Sequence, residues 1–229
     1  ITLTSDFGTP YPAAMKGVIL SRCEARLVDI SHEFPRQDIR TTAFWLSEIL
    51  PEFPPAVHLI VVDPGVGTDR SALAVRAGDH VLVGPDNGVL FPPARALADG
   101  DERYHADIDA YEIDIEEPRS ATFHGRDVFA PAAAEVHAIG IDRLATLETL
   151  SPADEVVDLE FPTPELAAES ARGEVLVVDG FCNVITNIPG GTLDGRDEIT
   201  VNGDPRPVVT SYAAVEPGTA VVTVGSHGN

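Results

Sequence analysis

The chain is 229 residues long and 44% hydrophobic, enough apolar content for one large core or two smaller ones, which excludes a disordered polymer. Its 37 acids stand against 15 bases, of which Lys16 is the only lysine, giving a formal charge of −22. A negative surface of that strength repels nucleic-acid phosphates and anionic lipid, and no apolar run approaches the ~20 residues that cross a bilayer, so no nucleic-acid or membrane partner is expected.

In chain order, residues 1–5 and 25–30 read as strands, 13–21 as a short helix and 39–52 as a longer amphipathic helix. Residues 57–62 form a continuous apolar run ending in Asp-Pro-Gly, the pattern of a buried parallel strand entering a functional loop. Residues 73–75 and 80–83 flank Ala-Gly-Asp as a hairpin, and 89–98 and 128–139 read as helices with prolines near their first turns. This is α/β grammar. It changes after about residue 150: a Pro- and acid-rich stretch leads to strand candidates at 174–178, 183–187, 198–201, 207–215 and 220–224, separated by Gly, Asp and Pro turns.

The acids are scattered and form no tail; they could attract a cationic substrate, but a pocket needs only a few acids, so a solvation adaptation to high salt is the favoured reading, with unfolding on transfer to low salt as its expected sign. The two cysteines, Cys23 and Cys182, form no CxxC pattern, and no basic-then-apolar leader opens the chain. A reducing, cytoplasmic location is expected.

Four polar or Gly-rich segments follow strands or open helices: TSDFG (4–8), VVDPGVGTDR (61–70), VGPDNG (83–88) and FHGRD (123–127). Ligands of open α/β sheets bind at such strand ends, although any one of these segments alone reads as a turn. Walker and GxGxxG patterns are missing, as is GxSxG. Asp6, His32, Asp63 and His124 could be gathered around a metal, but no HxH, HExxH or DxDxDG spacing supports one, and no metal is expected. Asp63 and Arg70 lie seven residues apart on one loop, with His124 on a later one. That spacing fits a catalytic set and fits a structural ion pair with a capping histidine equally well.

The ordered segments SDFG, MKG, VVDPGVGTDR, VGPDNG, FHGRDVFAPAAA, DGFCNVITNI and GSHGN resemble the S-adenosylmethionine hydroxide adenosyltransferases, relatives of the fluorinating and chlorinating adenosyl enzymes. The resemblance implies an N-terminal Rossmann-like α/β domain (1–155), a linker (156–172) and a small all-β, barrel-like C-terminal domain (173–229); because a strand candidate leads directly to Asn229 with no tail, that domain is expected to continue past it. It implies hydrolysis of S-adenosylmethionine to adenosine and methionine without a cofactor, in a homotrimer whose sites lie between subunits. Asp63, Arg70 and His124 resemble the set that positions the attacking water. Asp6 resembles the residue holding the ribose hydroxyls. Asp179, Phe181 and Asn183 resemble the contacts to the methionine ammonium and adenine, and Ser226 a methionine-carboxylate contact. Halogenating relatives lack both the histidine of FHGRD and the aspartate of VVDPG, so hydroxide is expected over halide. A protein that binds adenosine or S-adenosylmethionine without turnover is the alternative outside enzymology, and it would not need this set. Cys182, in place of the usual glycine, and His227, where fluorinating relatives carry arginine, depart from the pattern.

On chemical grounds the sulfonium departs as a neutral thioether and needs no acid, so the burden falls on the nucleophile. Asp63 and His124 are expected to deprotonate the water while Arg70 stabilises the developing hydroxide.

Overall fold

The apolar runs read from the sequence pair into one large sheet. The computed structural model describes residues 1–99, 108–114, 118–226 and 228, which fall into two compact units, Ile1–Glu160 and Phe161–Asn229. In chain order the first unit comprises β1 (Thr2–Ser5), α1 (Tyr11–Leu20), β2 (Val28–Ser31), α2 (Ile39–Ile49), β3 (Val57–Val61), β4 (Ala72–Ala77), β5 (His80–Pro85), α3 (Phe91–Asp99), β6 (Ile108–Ile113), α4 (Ala130–Ile139) and β7 (Leu150–Pro152).

The sheet order is β2-β1-β3-β5-β4-β6-β7. β2, β1, β3 and β5 run parallel. β4 returns as the expected hairpin beside β5, and β6 and β7 extend that antiparallel side. The sheet is therefore mixed. The sequence reading missed β6 and β7, and the reason is visible in their burial: only Ile113 of β6 is buried, and polar Asp109 and Glu112 interrupt the apolar signal that marks a strand.

Side-chain alternation divides the core. Leu3, Leu59, Val61, Ala74 and Val83 pack with Met15 and Ile19 of α1 and Ala133 and Val136 of α4. The intervening residues Ile60, Leu73, Val75 and Leu82 are equally buried and point to the other face, where α2 and α3 pack together. β3 is covered on both sides, which is why it reads as an unbroken apolar run. Each fully buried leucine of this kind, such as Leu59, stabilises the unit by roughly 1.5–3 kcal/mol.

The first unit extends past residue 155 because the following segment is bonded to it. Asp86 Oδ1 accepts from Val157 N (2.8 Å), and Arg95 grips Asp158 (2.8 Å). The rest of the expected linker contains a small sheet of β8 (Glu165–Leu166) and β9 (Ala171–Arg172).

In the second unit β10 (Val175–Val178) pairs antiparallel with β11 (Val184–Thr186), and β12 (Glu198–Val201) with β13 (Asp204–Pro207). Asn202 (φ 52°) and Gly203 (φ 97°) supply the two left-handed residues that a tight Asn-Gly hairpin requires. The strand expected over 207–215 is not continuous. Pro205 and Pro207 withhold ladder donors, β13 stops at Pro207, and Ser211 accepts from Ala213 N to start a short turn at Tyr212–Ala214. From 220–224 only Val222 bridges, to Val208.

Candidate active site

The carboxyl ends of the parallel strands carry the candidate residues in a row: His32 after β2, Asp6 after β1, Asp63 after β3 and Asp86 after β5. Asn87 braces the loop that leaves β3, donating from Nδ2 to Val62 O (2.9 Å) while its Oδ1 accepts from Val89 N (3.2 Å). The loop then coils back on itself through Thr68 Oγ1 donating to Gly65 O (2.7 Å), which returns Arg70 toward Asp63.

Two glycines let the His124 segment approach. At Gly67 (φ 81°) a Cβ would stand 2.7 Å from Ala121 O, and at Gly125 one would stand 2.9 Å from Met15 Sδ and 3.2 Å from Val61 Cγ1. A side chain at Gly67 would collide with backbone, and one at Gly125 would press on Met15 of α1 and Val61 of β3. Gly125–Phe129 forms a single π-helical turn that continues into α4, and His124 stands immediately before it. Such turns recur where a helix must present a side chain at an unusual angle.

The outcome is a closed polar set with Arg70 at its centre. Arg70 Nε donates to Asp63 Oδ1 (2.9 Å), and Nη2 donates to Asp63 Oδ2 (2.5 Å) and reaches His124 Nδ1 (3.0 Å). Nη1 donates to Ser71 O (3.1 Å), and the guanidinium lies over the Phe129 ring, 5.0 Å from its centroid. The side chains of Asp63 and Arg70 are 6% and 9% exposed, and His124 is 6% exposed. Guanidinium has no acceptor, so its N–H donates to Nδ1 and that nitrogen holds a lone pair. Neutral His124 therefore carries its proton on Nε2. Burial first, and then the Arg70 charge, pushes the His124 pKa below the ordinary histidine value, which favours this neutral form.

Asp6 lies outside this set. Its Oδ2 accepts from Gln37 N (2.6 Å), and the rings of Phe7, Tyr11 and Phe123 meet edge-to-face at 5.6–6.1 Å, joining the SDFG turn to the residue before His124. Arg70 also lines a cleft of about 460 Å³, together with Asp69, Ser71, Glu112, Asp114 and Glu148 among others. Among the described residues no three His, Cys, Asp or Glu side chains converge as a metal-binding group.

Asp179, Phe181 and Asn183 share the β10–β11 turn of the second unit. Asp179 Oδ1 accepts from Phe181 N and Asn183 N (both 2.8 Å), and Oδ2 accepts from Asn183 Nδ2 (2.8 Å). Those bonds hold the Asp179 carboxyl below its usual range, that from Asn183 foremost. The Phe181 side chain points outward, 90% exposed. Ser226 is exposed near the end of the unit, and His227 lies outside the described residues.

Several residues that build the site escaped the sequence reading. Phe129 under Arg70 looked like an ordinary helix-core residue. Asp127, whose carboxyl Arg126 and Arg119 hold below the usual range, lies inside the candidate segment FHGRD but was given no role of its own. Position within FHGRDVF was the available signal for both.

Comparison with known proteins gives a consistent result. Residues 1–145 match the profile of the SAM hydroxide adenosyltransferase N-terminal domain, and residues 173–229 that of its C-terminal domain. A protein of Salinispora tropica named (R)-S-adenosyl-L-methionine hydrolase is 40% identical, covering 100% of this chain and 87% of its own length. One of the same name from Thermus thermophilus is 41% identical over 98% of this chain and 87% of its own length. Among solved structures, that of a conserved protein from Thermotoga maritima aligns with a TM-score of 0.81 at 31% identity, covering 99% of this chain and 89% of that one.

Proposed function

The chain belongs to the SAM hydroxide adenosyltransferase family and hydrolyses S-adenosylmethionine, and from that premise we propose that a water held by Asp63, Arg70 and His124 attacks the ribose C5′ to give adenosine and L-methionine. The observation that carries this reading is the single Arg70 Nη2 that serves both Asp63 and His124. It supports one proton inventory for the set. His124 Nδ1 is engaged as an acceptor, and Nε2–H is a donor that can hold the water oxygen and favour negative charge developing there. Arg70 has donors only. Asp63 alone retains acceptor lone pairs, so the water proton passes to Asp63, and His124 positions the water without acting as its base. This reading differs from the expectation that His124 shares in accepting the proton.

The bonds balance. The water oxygen bonds to C5′, the C5′–S bond breaks, and its electron pair stays on sulfur as a neutral thioether. A cationic leaving group becoming neutral needs neither an acid nor a metal, and we read the reaction as cofactor-free. Burial of the set serves the same end, because a desolvated hydroxide-like oxygen meets a cationic substrate whose charge it cancels.

Asp6 is assigned to the ribose hydroxyls, Asp179, Phe181 and Asn183 to the methionine ammonium and adenine, and Ser226 to the methionine carboxylate. A ring left 90% exposed on its own unit supports a site completed by a second copy, in a homotrimer with a barrel-like second domain. A cytoplasmic location and a surface adapted to salt belong to the same reading. Hydrolysis in ¹⁸O-labelled water tests the chemistry: the label should enter the 5′-hydroxyl of adenosine. Label in the amino-acid product, or a 5′-halo-adenosine formed from added chloride or fluoride, would overturn it.

A further inference from the structure

The segment ISHEFPRQD (30–38), from the end of β2 to the start of α2, has no part in the reaction described above, yet it grips the SDFG turn at three places. His32 Nδ1 lies 2.7 Å from Ser5 Oγ, His32 O accepts from Gly8 N (2.8 Å), and Gln37 N donates to Asp6 Oδ2 (2.6 Å). Ser5, Asp6 and Gly8 are thus each held from the neighbouring loop, and two of the three bonds come from His32.

The holder is itself fixed. His32 has a side chain only 11% exposed, and its Nε2 lies 3.1 Å from Asp29 Oδ1, at ion-pair distance but without hydrogen-bond alignment. The other Asp29 oxygen receives Lys16 Nζ of α1 at 2.5 Å, so the one lysine of the chain ends this line of polar contacts. Farther along the loop, Gln37 adopts φ 62°, a left-handed conformation that is costly for glutamine. Asp38 immediately after it caps α2, accepting from Thr41 N (2.9 Å), which anchors the loop where it enters the helix. A strained residue held between an anchored histidine and a helix cap, with its N–H aimed at the Asp6 carboxylate, is an arrangement that sets the direction of that carboxylate.

We propose that His32 is a positioning residue for substrate binding, holding the SDFG turn through Ser5 and Gly8 so that Asp6 presents its carboxylate to the ribose diol. This rests on the assignment of Asp6 to the ribose. Carboxylate recognition of a vicinal diol depends on direction, so a turn that swings weakens binding while leaving the Asp63–Arg70–His124 set intact. His32 therefore acts on affinity, and turnover of bound substrate is not its concern.

The test is a set of variants read by adenosine titration and steady-state kinetics. Loss of one hydrogen bond is expected to weaken adenosine binding and raise the KM for S-adenosylmethionine by about three- to tenfold in His32→Ala, with kcat within about twofold. Ser5→Ala, a smaller change that removes the same bond from the other side, should give the same split. His32→Asn, which restores a polar atom near the Nδ1 position, should recover most of the affinity. Asp6→Ala separates this proposal from the reading beneath it. Where Asp6→Ala weakens adenosine binding, His32→Ala added to it should produce little further loss, because His32 acts through Asp6. Additive losses in the double variant, or full affinity in both His32→Ala and Ser5→Ala, would overturn the positioning role. Unchanged adenosine binding in Asp6→Ala would remove the ribose assignment, and the proposal with it.

Discussion

The two units hold their functional candidates in opposite ways. In the first, Asp63, Arg70 and His124 are buried and bonded to one another, so their geometry is complete within one unit of one chain. In the second, Asp179 spends its carboxylate on its own turn and leaves the Phe181 ring in solvent. The difference fits the work proposed for each. A group that orients a nucleophile must be rigid and dry before substrate arrives, and mutual hydrogen bonds in a low-dielectric pocket achieve that. A ring that packs on an adenine gains its energy only when it is covered, so its own unit has no reason to bury it.

If this division is right, the largest effect comes from breaking the buried set without disturbing its ion pair. In His124→Asn, the amide oxygen can replace Nδ1 as the acceptor from Arg70, but the donor at Nε2 is lost. We expect kcat to fall by about 10²-fold or more while KM changes little. The wild-type pH profile should identify the same group. Protonation would remove the Nδ1 lone pair that accepts from Arg70 and set two cations together, so the neutral form is the one that keeps the set intact. Because burial and the Arg70 charge lower the His124 pKa, that form persists as pH falls through the ordinary histidine value near 6.5. Activity should be lost only below that, and the acid limb assigned to His124 should vanish in the variant. A wild-type limb at or above 6.5 would break the assignment.

The same contrast governs what was legible in the sequence. β3 and its Asp-Pro-Gly exit were readable, because a strand buried on both faces has to be continuously apolar. So was the possibility of an Asp63–Arg70 pair, since seven residues of loop allow the return. What spacing could not supply was the contact of the third member: His124 meets Arg70 because Gly67 and Gly125 admit close backbone approach, and a lone glycine in a sequence does not name its neighbour. The grip of His32 and Gln37 on the SDFG turn was invisible for a related reason. It depends on β2 lying beside β1, and on a left-handed glutamine that nothing in its residue type announces. β6 and β7 were lost because half-exposed strands with acidic residues give little periodic signal.

A smaller effect is expected from the open side of the contrast. Phe181→Ala removes a ring that contributes little to its own unit, so thermal stability of the isolated chain should not change. If the ring packs on the adenine, stacking worth ~1–3 kcal/mol raises the KM by about tenfold, with kcat preserved. A drop in kcat comparable to that of His124→Asn would mean that the second unit shares in the chemistry, and the division drawn here would fail.

The smallest effect concerns the backbone beneath that ring. Cys182 sits at φ 66°, left-handed, in a turn otherwise fixed by the three bonds to Asp179. A side chain in that conformation costs ~1 kcal/mol or more, and glycine removes the cost while adding some freedom to the unfolded chain. Cys182→Gly should therefore stabilise the turn by about 1 kcal/mol at most. Tryptophan fluorescence is a poor reporter, because the only tryptophan, Trp45, lies on α2 in the first unit. Hydrogen exchange at the Phe181 and Asn183 amides reads the turn directly, and their protection should rise by up to about fivefold, the factor equivalent to 1 kcal/mol. Decreased protection would show that the thiol makes a contact worth more than the strain it imposes.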